Sequence, residues 1–323
     1  MAKTIKPTLL LDLAALPKGF HRRRLARDGV GFEAFIWRGG PGPVLLVNGA
    51  THGDEYEGPT LLQQWVRRWK PRTLRGTVVF VPVLNEVAFF AGARCRPDDG
   101  ANLARSFPGN RRGSPTSRLA WLFNEHLLAQ VTHYADFHSA GVANRLRPWV
   151  DYVAGIAAPV ERTQRAMAAC FDRFWCWSGP FLPGRTLSAA AERGIPAIYT
   201  ECRGEGDVAP ADLAALELGL RRLLITLGLV PGAKPRLRTQ LTRITRSAKE
   251  THLQVHHQAP HDGLFIPRAK LGDRVRRGAP IGEVLELAGR ASLVRAEHAG
   301  RVVVVRVQRS VRKGDALAVL SPV

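Results

Sequence analysis

The 323-residue chain holds no apolar run near the roughly 18 residues needed to span a bilayer, so no membrane-spanning helix is expected. Its N-terminal stretch MAKTIKPTLLLDLAALPKGF pairs lysines with an apolar segment, as a secretory leader does. Asp12 interrupts that segment, and Pro17-Lys18 closes it without a small-x-small cleavage site. The expectation is a cytoplasmic protein with no membrane partner. Cysteine is scarce: Cys95, Cys170, Cys176 and Cys202 form no C-x-x-C pair. That argues against a dithiol redox motif and a disulfide framework, and leaves buried or reduced thiols. Acidic residues are the minority, 27 against 47 basic ones, for a net charge of +20. Such a field attracts anions. The basic residues are mostly arginine and spread along the chain, with no lysine-rich tail and no aromatic RNA-binding motif, so a specific nucleic-acid partner is not expected.

What is present is an alternation of short apolar strands with amphipathic helices. Strands are expected at Gly31–Arg38, Val44–Val47 and Thr77–Val83, at a segment ending on His138, and at Trp149–Ala154 and Ala197–Glu201. Helices are expected over Pro59–Lys70, Ser117–Val131, Pro159–Phe174 and Pro210–Leu227. This order predicts an α/β domain, a mixed and mostly parallel sheet flanked by helices. In such sheets ligand groups gather beyond the carboxyl ends of the strands.

The pattern changes after Gly228–Gln240, where proline, glycine and basic residues mark a linker. The expected division is a catalytic domain over 1–235 and an all-β domain over 236–323. A weak repeat runs through the second part. Each copy opens with A-x-H-x-G, at Ala259 and Ala296, continues as an apolar strand and reaches V-R-[RK]-G, at Val275–Gly278 and Val311–Gly314. Two similar β units predict a small pseudo-symmetric β domain. The tail resembles the biotinyl/lipoyl-carrier type of β-sandwich. Such carriers present a modified lysine between their halves, but the connection Leu285–Val294 has none, so a structural role is expected.

The chemistry is concentrated at strand ends. The run LLVNGATHGDEYEG places His52 and Glu55 in a glycine-containing turn directly after a strand. His138 ends the strand HYADFHS, with Asp136 two residues earlier on the same face, a candidate partner for the histidine. Zinc accepts imidazole nitrogen and carboxylate oxygen, and a catalytic zinc needs three protein ligands with one position open. His52, Glu55 and His138 are therefore the expected ligands of one zinc ion. A zinc hydrolase also needs a carboxylate to carry protons. Glu201 closes the apolar strand in GIPAIYTEC, with Glu205 and Asp207 as rivals on the following loop. The loop GARCRPDDGANLARSFPG supplies Arg94, Arg96 and Arg105, whose guanidinium forks suit carboxylates and developing oxyanions.

Together these stretches resemble the succinylglutamate desuccinylase/aspartoacylase family of zinc carboxypeptidase-like deacylases. The family pattern is H-G-D/N-E, a loop R-x-x-P-x-D-G-x-N-L-N-R-x-F-P-G, a strand-end D-x-H-[ST] and a late strand-end glutamate. The loop and the DFHSAG strand look most like the branch of N-acetyl-diaminobutyrate deacetylases. The resemblance implies a zinc carboxypeptidase-like fold. It also implies a zinc-dependent amidohydrolase that cleaves a small, anionic N-acyl amino acid or N-acyl amine, with a carboxypeptidase for short peptides as the alternative. Glu201 would be the general base and acid, Arg94 would polarise the carbonyl, and Arg105 and Asn102 would bind substrate. In the family the β tail narrows access to the site, which favours small substrates; homo-oligomerisation is left open. One position departs from the pattern: Ala104 stands where the family has an asparagine beside the arginine.

Overall fold

The computed structural model describes residues 9–233, 235 and 256–321. An eight-stranded sheet is built from β1 (Gly19–Arg27), β2 (Val30–Arg38), β3 (Gly40–Gly49), β4 (Arg75–Val81), β5 (His133–Ser139), β7 (Trp149–Val153), β8 (Trp175–Gly179) and β9 (Ala197–Cys202). Its order is β1-β2-β4-β3-β5-β9-β7-β8. The pairings β3–β4, β3–β5, β5–β9 and β7–β8 are parallel, while β1–β2, β2–β4 and β7–β9 are antiparallel. A short strand, β6 (Asn144–Leu146), lies outside this sheet. The helices are α1 (Glu57–Arg68), α2 (Glu86–Phe90), α3 (Pro115–His126), α4 (Ala158–Ala169), α5 (Thr186–Glu192) and α6 (Pro210–Thr226).

The central strands read as continuous apolar runs because both faces of the sheet are covered. Side chains alternate along a strand, so one run feeds two cores. Leu46, Val79, Val81 and Tyr134 pack with α3 and α5 through Leu119, Phe123 and Leu187. Leu45, Val47, Val78, Phe80 and Phe137 pack on the other face with Leu62 and Trp65 of α1, Met167 of α4 and Leu220 of α6. Each fully buried Leu, Val or Phe contributes about 1.5–3 kcal/mol relative to exposure, so the paired cores fix the register that aims the strand ends.

The C-terminal part consists of β10 (Gly263–Pro267), β11 (Arg274–Val275), β12 (Pro280–Leu285), β13 (Ala291–Arg295), β14 (Gly300–Arg306), β15 (Ser310–Val311) and β16 (Ala318–Ser321). They form one sheet in the order β13-β12-β10-β15 and another in the order β11-β14-β16. The sequence repeat explains the exchange between them. The first strand of each copy pairs with the two-residue strand of the other, β10 with β15 and β14 with β11. Phe265, Ile281, Val302 and Leu317 lie in the core of this part.

This part is joined to the large sheet by β6, which pairs with β14. Val303, Val304 and Val319 bury against Leu146, Trp149 and Trp177. The guanidinium of Arg147 lies over the Trp175 ring, 3.6 Å from its centroid. The linker and domain boundary expected near 235/236 border residues 236–255, which lie outside the described residues. Among the described residues no helix is long and apolar enough to cross a membrane.

Candidate active site

The site is assembled where β3, β5 and β9 end. After β3 the chain turns at Ala50, whose φ of 48° puts a non-glycine residue in the left-handed region. That conformation costs roughly 1–2 kcal/mol for an L-residue. The turn carries His52 and Glu55, and α1 starts at Glu57 immediately behind them. Gly53 permits close packing against α2, since a Cβ there would meet the backbone of Ala88 at 2.1 Å. Glu57 is buried and accepts from Gly204 N at 3.0 Å, tying the start of α1 to the turn beyond β9. Burial pushes its carboxyl up to about 7.

His52, Glu55 and His138 offer ligand atoms that all lie within 4.8 Å of one another. His52 Nδ1 is 2.7 Å from Glu55 Oε1, and His138 Nδ1 is 2.8 Å from Glu55 Oε2. Ser139 N and an Arg94 guanidinium N–H also donate to this carboxylate, at 3.2 and 3.1 Å. The far ring nitrogens have partners of their own. His52 Nε2 is 3.0 Å from Asn102 Oδ1, and His138 Nε2 is 3.0 Å from Asp136 Oδ2, a close ion-pair contact not aligned as a hydrogen bond. Holding the outer nitrogen of each imidazole turns both Nδ1 atoms toward Glu55.

Asp136 is in turn over-determined. Its Oδ1 accepts from Asn48 Nδ2 at 2.8 Å and Thr51 Oγ1 at 3.0 Å, and its Oδ2 is 2.7 Å from Thr186 Oγ1. Thr186 Oγ1 also lies 2.9 Å from the Tyr199 hydroxyl.

The electrostatics favour a charged His138 and a charged Glu55 but a neutral His52. Burial works to lower His138, but Asp136 and Glu55 outweigh it and hold the imidazole well above its usual range. Burial works to raise Glu55, yet His52 and His138 hold it well below the carboxylate range. His52 is lowered to about 4, by burial first and by Arg94 second. Two imidazole Nδ1 atoms and one carboxylate, with both outer nitrogens oriented by acceptors, fit a zinc-type donor set.

Glu201 stands beside this group. It is the register partner of His138 on β5 and of Trp149 on β7, and it lines a cavity of about 840 Å³, part of it open to solvent. Burial raises its carboxyl well above the usual range, opposed by His138 and reinforced by Glu55 and Asp151. The same cavity is lined by His52, His138, Ala104 and Arg105. Arg105 NH1 donates to Ala104 O at 2.8 Å, and its guanidinium is lowered to about 10 by burial and by neighbouring Arg185.

The other expected residues are placed as follows. Asn102 caps the short 3-10 turn Leu103–Arg105, its Oδ1 accepting from Ala104 N at 2.9 Å while it meets His52. Arg96 is turned onto Asp98 in a two-pronged contact at 2.9 and 2.6 Å. Glu205 pairs with Arg145 at 2.5 Å, and Asp207 Oδ1 accepts from Val208 N at 2.7 Å. Of the three carboxylate candidates, Glu201 is the one that stands beside the histidines.

Residues 41–227 match the model of the succinylglutamate desuccinylase/aspartoacylase catalytic domain. The chain belongs to this family. Along its full length it is 30% identical to an N-alpha-acetyl-L-2,4-diaminobutyric acid deacetylase of Halomonas elongata, covering 99% of this chain and 95% of that protein. Two solved family structures share its fold. The product-bound ectoine utilization protein EutE (DoeB) of Ruegeria pomeroyi superposes with a TM-score of 0.84 at 28% identity, covering 96% of this chain and 98% of that one. A succinylglutamate desuccinylase from a Silicibacter species gives 0.82 at 26%, covering 95% and 97%.

Sequence reading missed two residues that line the cavity of this family member, Asp151 and Arg185. Asp151 carried a usable signal, being the lone charge inside the apolar strand WVDYVA. Arg185 lies in the loop before α5 and belongs to no motif in the sequence; its Nε is buried without a partner among the described residues.

Proposed function

We propose that the protein is a zinc-dependent deacylase that hydrolyses the amide of a small N-acyl amino acid, releasing a carboxylate and a free amine. The observation that carries this reading is the convergence of His52 Nδ1, His138 Nδ1 and the Glu55 carboxylate beside a cavity that both histidines and Glu201 line. His52, Glu55 and His138 would hold the metal, which when bound supplies Lewis acidity toward the acyl carbonyl and toward water.

The protein's own groups account for the remaining steps. Glu201 takes a proton from the attacking water and returns it to the leaving nitrogen as the C–N bond breaks. Arg94 reaches the same carboxylate as the two histidines, so its guanidinium can meet charge developing on the carbonyl oxygen. Arg105 binds the substrate carboxylate, and Arg185 joins it where Ala104 leaves no side-chain amide. Asn102 orients His52, which leaves its amide nitrogen for substrate.

The tail stands behind the cavity wall. Trp149 and Trp177 line the cavity and also pack on Val303, Val304 and Val319. That arrangement favours small substrates over peptides, and the diaminobutyrate deacetylase relative makes an N-acetyl amino acid the first to try.

The test is a screen of N-acetyl, N-succinyl and N-formyl amino acids against the purified chain, with zinc and after chelation. Zinc-dependent release of the acyl group from at least one small substrate is expected. Cleavage of short peptides alone would replace this reading with the carboxypeptidase one.

A further inference from the structure

Two guanidinium groups of the cavity, Arg105 and Arg185, come from separate segments of the chain. Like charges repel when brought together, and the repulsion is felt here. The Arg105 guanidinium is lowered to about 10 by burial first and by Arg185 second. The side chains themselves do little to hold the two segments in place. Arg105 donates to its own neighbour Ala104 O at 2.8 Å, and Arg185 Nε is buried without a hydrogen-bond partner among the described residues. The contact that joins them is made by backbone.

Gly184 directly precedes Arg185 and lies in the left-handed region, at a φ of 85°. It also faces the main chain of Arg105. A Cβ at this position would meet Arg105 O at 2.5 Å and Arg105 C at 2.9 Å. Gly184 O accepts from Phe107 N at 2.9 Å, which closes the contact. Only glycine meets both conditions without strain. The other flank is anchored by a side chain. Thr186 Oγ1 lies 2.7 Å from Asp136 Oδ2 and 2.9 Å from the Tyr199 hydroxyl, and Asp136 in turn contacts His138 Nε2 at 3.0 Å. Between these anchors Arg185 is extended, and its carbonyl accepts from Ala189 N at 3.0 Å as α5 begins. Three consecutive residues thus dock on the Arg105 loop, enter the cavity and reach the partner of a candidate metal ligand.

We propose that Gly184 is a positioning residue which, with Thr186, fixes Arg185 beside Arg105 at a set reach from the histidines, so that both guanidinium groups grip one substrate carboxylate. This rests on the deacylase reading above. The repulsion between the two cations is overcome when the chain folds, and a carboxylate placed between them relieves it on binding. The anion therefore meets a preformed pair and need not gather two mobile side chains. Neither Gly184 nor Thr186 touches the substrate in this account; both act through Arg185.

The test is Gly184→Ala, assayed as the zinc-loaded full chain on an N-acetyl amino acid that the wild type cleaves and on the carboxamide of the same compound. The added Cβ pushes the two segments apart, so KM for the acid is expected to rise about 10-fold while kcat stays within about threefold. The carboxamide has no anion to grip, and its kcat/KM should stay within about threefold of the wild-type value. A general loss of folded enzyme looks different, since it lowers kcat on both substrates and leaves KM unchanged. Thr186→Val, which keeps the shape and removes the hydroxyl, should give the same selective rise in KM at saturating zinc, and Thr186→Ser should retain the wild-type KM. If Gly184→Ala fails to fold, the Thr186 pair decides; if the wild type does not turn over the carboxamide, the split between KM and kcat on the acid decides. An unchanged KM in Gly184→Ala, or an equal loss on acid and carboxamide, overturns the positioning role and leaves the deacylase reading intact. A wild type that cleaves no N-acyl amino acid removes the deacylase reading and this role with it.

Discussion

Glu201 and His138 are register partners on neighbouring parallel strands, so a candidate proton carrier and a candidate metal ligand project from the same face one strand spacing apart. That spacing is about 4.8 Å and is set by backbone hydrogen bonds rather than by either side chain. The two side chains are thereby held by the sheet, with Glu55 brought in from a turn 83 residues away to meet His138 at 2.8 Å.

The three-ligand site predicts metal content. Purified protein should hold about one zinc per chain by elemental analysis, and His138→Ala should lose most of it, because two donors do not make a closed site. Full metal content in that variant would remove His138 from the site.

Asp136 predicts a graded effect. It contacts the outer nitrogen of His138 at 3.0 Å and is itself held by Asn48, Thr51 and Thr186. Asp136→Asn should weaken zinc binding by about 10–100-fold while the fold survives. Competition with a chromogenic chelator measures this, and unchanged affinity would make Asp136 a packing residue only.

Arg105 predicts a split between binding and turnover. Arg105→Ala and Arg185→Ala should each raise KM for N-acyl amino acids by about 10-fold or more with a smaller change in kcat. Ala104→Asn should lower KM for substrates with a free α-carboxylate. If the Ala104 variant alone has no effect, the substrate anion is held elsewhere in the cavity.

The tail predicts an unmodified protein. Mass spectrometry of protein from its native host should find neither biotin nor lipoate. An added mass on Lys270 or Lys313 would make the tail a carrier.

What the sequence disclosed follows burial. Strands β2, β3, β4, β5 and β9 were visible because two-sided burial demands apolar runs, and His52, Glu55, His138 and Glu201 stood out because each breaks such a run or follows it closely. Strand β1 was not visible, because an edge strand reading GFHRRRLAR satisfies its arginines with solvent and with Glu33 and Glu86. The helix expected to run to Phe174 stops at Ala169, and β8 begins at Trp175, a strand whose aromatic side chains hide its period. The helix expected over Ser117–Val131 ends at His126 and gives way to a 3-10 turn at Leu128–Gln130. Asp151 reaches the cavity through strand order and left one local trace, a lone charge in an apolar strand, whereas Arg185 reaches it through a loop path that leaves no local pattern.

The most direct test of the central claim is the steady-state rate of Glu201→Gln on an N-acyl amino acid that the wild type cleaves, measured together with zinc content. Glutamine keeps the shape of the side chain and removes the proton carrier. The account predicts wild-type zinc, a wild-type melting profile and a kcat lower by at least about 10²-fold. A zinc-loaded Glu201→Gln enzyme with full kcat would contradict it.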